Sequence, residues 1–153
     1  MEVKELEVLI FSVGGQNFGV DAADVIEVLR YKGTDIYPEK TDFSDTGIDF
    51  RDARIPIIDI SRRLEMERAY SDEDRSIIVF NIEDSALSFD VDSVVEFVQV
   101  TVEDIESIPD FIKNRMKLDF IWSVGKIRGE LVFFLDLGNV LNEKDIKKLP
   151  IWQ

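Results

Sequence analysis

The sequence predicts an all-β protein. It should contain two pseudo-symmetric, five-stranded small β-barrels of the SH3 or OB kind that share a hydrophobic interface, followed by a short C-terminal helix. Three observations carry this expectation. Short apolar runs rich in Val, Ile and Phe are punctuated by glycine-containing and acidic turns, and only the last stretch has helical spacing. The chain repeats itself, so whatever one half folds into, the other should resemble. Each repeat has only ~60 residues, a size that is marginal alone, so the two must bury a common face.

Taken in order, Leu6–Val13 is a strongly apolar strand, and Gly14-Gly15 supplies a two-residue hairpin turn into Phe18-Gly19-Val20. Asp21–Asp24 forms a turn or a single helical turn, and Val25–Tyr31 is extended again. Lys32 to Asp49, with Gly33, Pro38 and Gly47, reads as a long polar loop. Arg54–Ile60 is a compact strand. Pro56 removes a ladder donor from it, which predicts an edge or a bulge at that point and a place where a partner docks. Ser61–Met66 is a helical turn and Ala69–Asp74 a polar connector.

Ser76–Ile82 and Leu87–Val91 are strands joined by Glu83-Asp84-Ser85, and Val94–Val102 is a β-branched run. Val102–Lys117 holds short helical turns at most. Phe120–Ile127 and Glu130–Leu135 form a hairpin around Arg128-Gly129. Trp122 is expected in the core, and Trp152 packs near the C-terminus. The apolar spacing of Leu137, Val140, Leu141, Ile146 and Leu149 predicts a helix that Pro150 stops.

Leu9–Val28 lies without a gap on Ile78–Phe97 at an offset of 69 residues: Phe11 on Phe80, Asp21 on Asp90, Val25 on Val94, Glu27 on Glu96. Further on the offset becomes 77: Arg51 on Arg128, Ile58 on Leu135, Asp59 on Asp136, Leu64 on Leu141. The chain therefore reads as one domain, 1–153, with subdomains at about 6–66 and 75–141 and a helix or tail at 142–153.

Composition removes whole classes of function. The 153 residues include no Cys and no His. That leaves no thiol nucleophile, disulfide, Ser-His-Asp triad or usual zinc ligation. A catalytic site would have to rest on carboxylates, Lys, Tyr or hydroxyls, and no metal site or cofactor is expected. A net charge of −14 argues against nucleic acid and anionic membranes as partners. No apolar run approaches a membrane span, so direct membrane insertion is not expected, and the expected compartment is the cytoplasm. Carboxylate pairs could serve a glycosidase, but any acidic chain offers them. Asp72-Glu73-Asp74 lacks the alternation of a calcium loop.

Two carboxylate–arginine pairs stand out, Glu27 with Arg51 and, at the equivalent repeat positions, Glu96 with Arg128. Each can form a bidentate pair that fixes a loop at a binding surface or simply sets strand register. Asp59 and Asp136 each follow an apolar strand and fit helix N-caps or Asx turns.

These segments, in this order and spacing, resemble the CheW-like domain family, the coupling proteins of chemosensory arrays. Phe18-Gly19-Val20-Asp21 followed by Val25-Ile26-Glu27-Val28 resembles its "YGI…V-x-E-I". Phe50-Arg51 with Ile55-Pro56 through Asp59-Ile60 resembles "NLRG…xPxxDL". Arg75-Ser76-Ile77 and Phe89-Asp90-Val91-Asp92 through Glu96 resemble "R-x-I…GxxVDxVxEV". Gly125 and Gly129-Glu130 through Asp136-Leu137 resemble the closing segment.

The resemblance implies two five-stranded barrels. It also implies a non-catalytic adaptor with no small-molecule substrate. Its partners would be a CheA-type histidine kinase, through that kinase's regulatory domain, and the cytoplasmic tip of a methyl-accepting chemoreceptor. The implied partner surface falls on Val25, Glu27 and Arg51, and Asp52, Arg54 and Pro56 are expected to meet partners beside them. Gly19, Asp59, Glu96, Arg128, Gly129 and Asp136 are expected to be structural. Asp49 and Asp52 replace the family's Asn and Gly, and Ser88 replaces a Gly. Asp52 should either exclude the positive φ that Gly permits or pair with Arg54. The alternatives are a small-barrel ligand or oligosaccharide binder, and a divergent scaffold in another chemosensory system.

Overall fold

A computed structural model describes residues 5–32, 36–38, 46–69, 73–107 and 121–140. The remainder of the C-terminal helix expected at 137–149, the tail with Trp152, and most of the acidic 32–49 segment lie outside the described residues. Twelve strands are described: β1 (Glu5–Val13), β2 (Gln16–Asp21), β3 (Val25–Arg30), β4 (Ile36–Pro38), β5 (Thr46–Phe50), β6 (Ala53–Asp59), β7 (Ser76–Ile82), β8 (Ser85–Val91), β9 (Ser93–Thr101), β10 (Ile105–Ser107), β11 (Ile121–Ile127) and β12 (Glu130–Leu135). Short helices at Ile60–Leu64 and Leu137–Val140 follow β6 and β12.

The strands form two curled six-stranded sheets. One runs β10-β11-β12-β2-β1-β9 and the other β4-β5-β6-β8-β7-β3. Moving each strand to its repeat equivalent converts one order into the other, so the repeat is a structural one. The sixth strand in each sheet is the three-residue β4 or β10. β4 and β5 lie inside the stretch expected to be an unstructured loop. There Ile36 pairs with Ile48, and Ile48 with Ile55. Elements this short carry too little alternation to be recognised from sequence.

The sheets do not follow the halves of the sequence. β1 pairs with β9 and β2 lies parallel to β12. Symmetrically, β7 pairs with β3 and β8 lies parallel to β6. Each half thus donates its first hairpin to the other half's sheet. One sheet is built from the continuous segment 25–91. The other joins the N-terminal hairpin to the strands after residue 92.

Three clusters make up the core. One holds Val8, Ile10, Val100, Val132 and Phe134 inside the first sheet's curl. A second holds Ile48, Ile55, Ile57, Ile77 and Val79 inside the other. The third is the seam between the sheets, with Leu9, Phe11, Ile58, Ile78, Phe80 and Phe89. Alternate residues of β1 and of β7 enter different clusters, so both strands are covered on both faces. That is why these strands are continuous apolar runs rather than alternating ones.

The two interiors are filled in complementary ways. In the first, Gly19 lies opposite Phe134, and a Cβ on Gly19 would meet that ring at 3.0 Å. At the equivalent place in the second, Ser88 lies opposite Ile57, and its hydroxyl donates to the Pro56 carbonyl at 2.9 Å. The smaller Ile leaves room for the hydroxymethyl group. Gly19→Ser alone should therefore destabilise by ~1–3 kcal/mol through overpacking. Adding Phe134→Ile should recover part of that loss, and a double-mutant cycle in urea measures the coupling. Strictly additive effects would rule out the exchange.

Pro56 corrects an expectation. β6 is an interior strand between β5 and β8, and Pro56 is buried. It is tolerated because the parallel ladder to β8 begins one residue later, at Ile57. Trp122 is a second correction. It is 43% exposed rather than core, on the outward face of β11 between buried Ile121 and Ser123.

Candidate functional site

The β5–β6 hairpin turns on Arg51 and Asp52, both exposed, at φ 49° and 64°. Both centres of such a turn need positive φ, and Asp is among the few L-residues that tolerate it. Asp52 therefore adopts the angle that it was expected to exclude. The equivalent turn is Arg128-Gly129, at φ 52° and 82°. Asp52→Gly should be tolerated, whereas Asp52→Val should cost ~1–2 kcal/mol, measured by chemical denaturation. Equal stability of the two variants would contradict the strained-turn account.

Glu27 is exposed on β3, in the sheet that also carries the Arg51-Asp52 turn. The Arg51 guanidinium lies 4.9 Å from the Phe50 ring centroid. Arg54 is exposed and pairs with Asp49 at 3.3 Å. Val25 is half-buried against the seam, and Pro56 is buried. Of the six residues expected to meet partners, Glu27, Arg51, Asp52 and Arg54 present side chains to solvent, while Val25 and Pro56 are turned into the fold. On the other sheet Arg128 and Glu96 form an ion pair, Nη1 to Oε1 at 2.6 Å, which ties the β11–β12 turn to the edge strand β9. This pair is largely exposed, so its contribution is to position the turn, with a small net effect on stability.

Asp59 Oδ1 accepts from the Ser61 amide at 3.0 Å, and Asp136 Oδ1 from the Gly138 amide at 3.0 Å. Each aspartate caps the short helix that follows its strand.

Sequence reasoning missed an ionic cluster at the seam. Arg68, in the connector after the Ile60–Leu64 helix, donates to Asp92, to Asp90 at 3.1 Å and to Asp59 at 3.4 Å. Asp92 Oδ2 also accepts the N–H groups of Gly14 at 2.7 Å and Ala69 at 2.8 Å. Arg75 grips both oxygens of Asp90, its guanidinium stacked 3.7 Å from the Tyr31 ring centroid. Burial would raise the Asp92 carboxyl, but the Ala69 and Gly14 amides and Arg68 outweigh it and hold the group below the ordinary carboxylate range. Burial likewise opposes the charge on Arg68, and Asp90 and Asp92 more than restore it. The only sequence signal was a lone Arg in an acidic connector, which on the page looks like surface.

Beside β2 and β11 lies a cleft of ≈ 310 Å³ with Phe134 and Leu137 on its apolar walls, Trp122 at one side, and Asp21, Asp24 and Asp136 around it. Burial, then repulsion from Asp21 and Asp136, raises the Asp24 carboxyl above its usual value. Among the described residues no helix is long and apolar enough to cross a membrane.

Residues 7–145 match the family model for the CheW-like domain. The chain is 28% identical to the chemotaxis protein CheW of Rhizobium meliloti over 91% of this chain and 89% of that one. It is 25% identical to that of Thermotoga maritima over 95% and 94%, and 24% identical to that of Klebsiella aerogenes over 92% and 84%. Among solved structures it is similar to the scaffolding protein TtCheW of Thermoanaerobacter tengcongensis. The TM-score is 0.72 and the identity 24%, covering 88% of this chain and 90% of that one.

Proposed function

The chain belongs to the CheW-like domain family, and from that premise we propose that it is a non-catalytic chemosensory adaptor. It couples chemoreceptors to a CheA-type histidine kinase in a cytoplasmic signalling array. The observation that carries the proposal is the extent of the family match. Residues 7–145 contain the whole structural repeat and both Glu–Arg positions, and the relatives matched over most of their length are chemotaxis proteins.

The mechanism is presentation. Two rigid curled sheets joined by a packed seam hold separate outer surfaces at fixed positions, so one surface can engage the kinase regulatory domain and another the receptor tip. On the sheet formed by 25–91, the exposed Glu27 on the edge strand β3, and the exposed Arg51-Asp52 turn and Arg54 of the β5–β6 hairpin, offer charged groups to these partners. The acidic balance of the chain favours a partner face with complementary positive charge.

The test is a pull-down and titration of the purified chain against the regulatory domain of the genomically neighbouring kinase and against the receptor-tip hairpin. Glu27→Lys and Arg51→Glu should each weaken one of these complexes by about tenfold or more, with unchanged circular dichroism. Binding should also weaken as salt rises. Full affinity in both variants would remove Glu27 and the Arg51-Asp52 turn from the partner surface. Failure of the parent chain to bind either partner would remove the adaptor function itself.

A further inference from the structure

We propose that Glu65–Ala69 is a strap over an anionic socket at the seam, and that Arg68 is the latch that holds it shut. The inference concerns this chain's own conformational equilibrium and goes beyond the adaptor reading.

The strap begins where the Ile60–Leu64 helix ends, at Glu65 with φ 53°, and Met66 N–H donates back to the Ser61 carbonyl at 2.9 Å. Beyond that hinge its attachments change character. Glu67 and Ala69 are exposed, and Met66 alone adds an apolar contact to the seam. What enters the molecule is the Arg68 side chain, 14% exposed, whose donors are met by Asp59, Asp90 and Asp92. The strap's own Ala69 amide closes on Asp92, and so does the Gly14 amide of the β1–β2 turn. The strap lies directly on that turn, since a Cβ on Gly14 would come within 2.6 Å of the Glu67 carbonyl oxygen.

These facts separate the strap from the rest of the fold. The sheets are held to each other by an apolar seam that the strap touches at one residue, whereas the strap is held by charge-assisted hydrogen bonds to one guanidinium and one amide. It can therefore lift as a local unit without breaking the seam. Lifting it bares three carboxylates that the closed state fills with Arg68. Arg75 remains on Asp90 and keeps part of that charge balanced. Arg68 is thus a positioning residue acting as an internal guest for a socket that suits a guanidinium.

Limited trypsinolysis of the full chain reads the opening directly, because the scissile bond after position 68 is in the strap. Arg68→Lys keeps the charge and the cleavage site but loses the fork, and Asp92→Asn keeps Arg68 but removes its innermost partner. Both should speed cleavage after position 68 by roughly tenfold to a hundredfold, normalised to the same bond in the urea-unfolded chain. Cleavage after Lys126, within β11, should stay near the parent rate. Amide exchange at Gly14 and Ala69 should rise in parallel. If cleavage after 68 is unchanged, or rises only in step with cleavage after Lys126, the strap does not open locally and the proposal fails. Should Asp92→Asn not fold, Arg68→Lys decides alone.

Discussion

Phe80→Ala is expected to lower the unfolding free energy by ~3–5 kcal/mol and to do so in a single transition that involves both sheets. Phe80 is fully buried and meets Phe89 edge-on with ring centroids 4.7 Å apart. Both belong to the seam, which also takes Leu9, Phe11 and Phe18 from the other sheet. Deleting the ring leaves a cavity between two sheets that interlock through exchanged hairpins, so neither can relax independently. Urea unfolding in a Trp152→Phe background makes Trp122, on the sheet opposite the mutation, the fluorescent reporter. Its midpoint should shift together with that from far-ultraviolet circular dichroism. Two separated transitions would show that the sheets unfold independently and that the seam does not couple them.

Asp92→Ala should cost ~1–3 kcal/mol at neutral pH, because it removes the charged acceptor of the Arg68 Nε and of two amides, while Arg68 keeps Asp90 and Asp59. The parent protein should show the same dependence as a function of pH. The Asp92 carboxyl is depressed in the folded state, so its contribution is complete above the unfolded value near 3.8 and is lost as pH falls through the lower folded value. Arg68, Asp59, Asp90 and Arg75 face it, and neither arginine loses its charge in this range. Asp24 acts in the opposite sense. Its carboxyl is raised in the folded state, so ionising it as pH climbs through and above 3.8 costs stability. Stability should therefore peak at mildly acidic pH and fall steeply below the ordinary carboxylate range. Asp92→Ala should lose the steep acid limb, and Asp24→Asn should flatten the slope on the neutral side. A parent stability that is flat down to pH 3 would contradict the assignment to Asp92.

The parts of the candidate site that were legible in the sequence are those whose chemistry is local. The Arg128-Gly129 turn and the capping Asp59 and Asp136 are each specified within a few residues, and the Glu96–Arg128 pair stood out because the repeat sets it at positions equivalent to Glu27 and Arg51. The parts that were not legible depend on distant partners. Arg68 becomes a buried latch only because Asp59 from the end of β6 and Asp90 and Asp92 from the end of β8 converge on it, with Gly14 of the β1–β2 turn holding Asp92 in place. Pro56 sits in an interior strand because its missing donor falls just before a parallel ladder starts, a register that its neighbours do not encode.

By itself the sequence determined that this is a duplicated all-β protein with a two-sided apolar strand opening each half. Short β-branched runs, turn residues and a repeat are local properties, and an unbroken run such as Leu9–Phe11 must be covered on both faces wherever it lies. Only the tertiary structure decided which neighbours cover it. The two halves offer nearly the same strand edges, so β1 could pair with β3 in its own half or with β9 in the other, and no residue pattern near β1 distinguishes them. The choice is made by packing. The exchanged arrangement puts Phe11, Phe18, Phe80 and Phe89 into one seam, while Phe134 and Ile57 are each matched to a residue, Gly19 or Ser88, of the size that they leave room for.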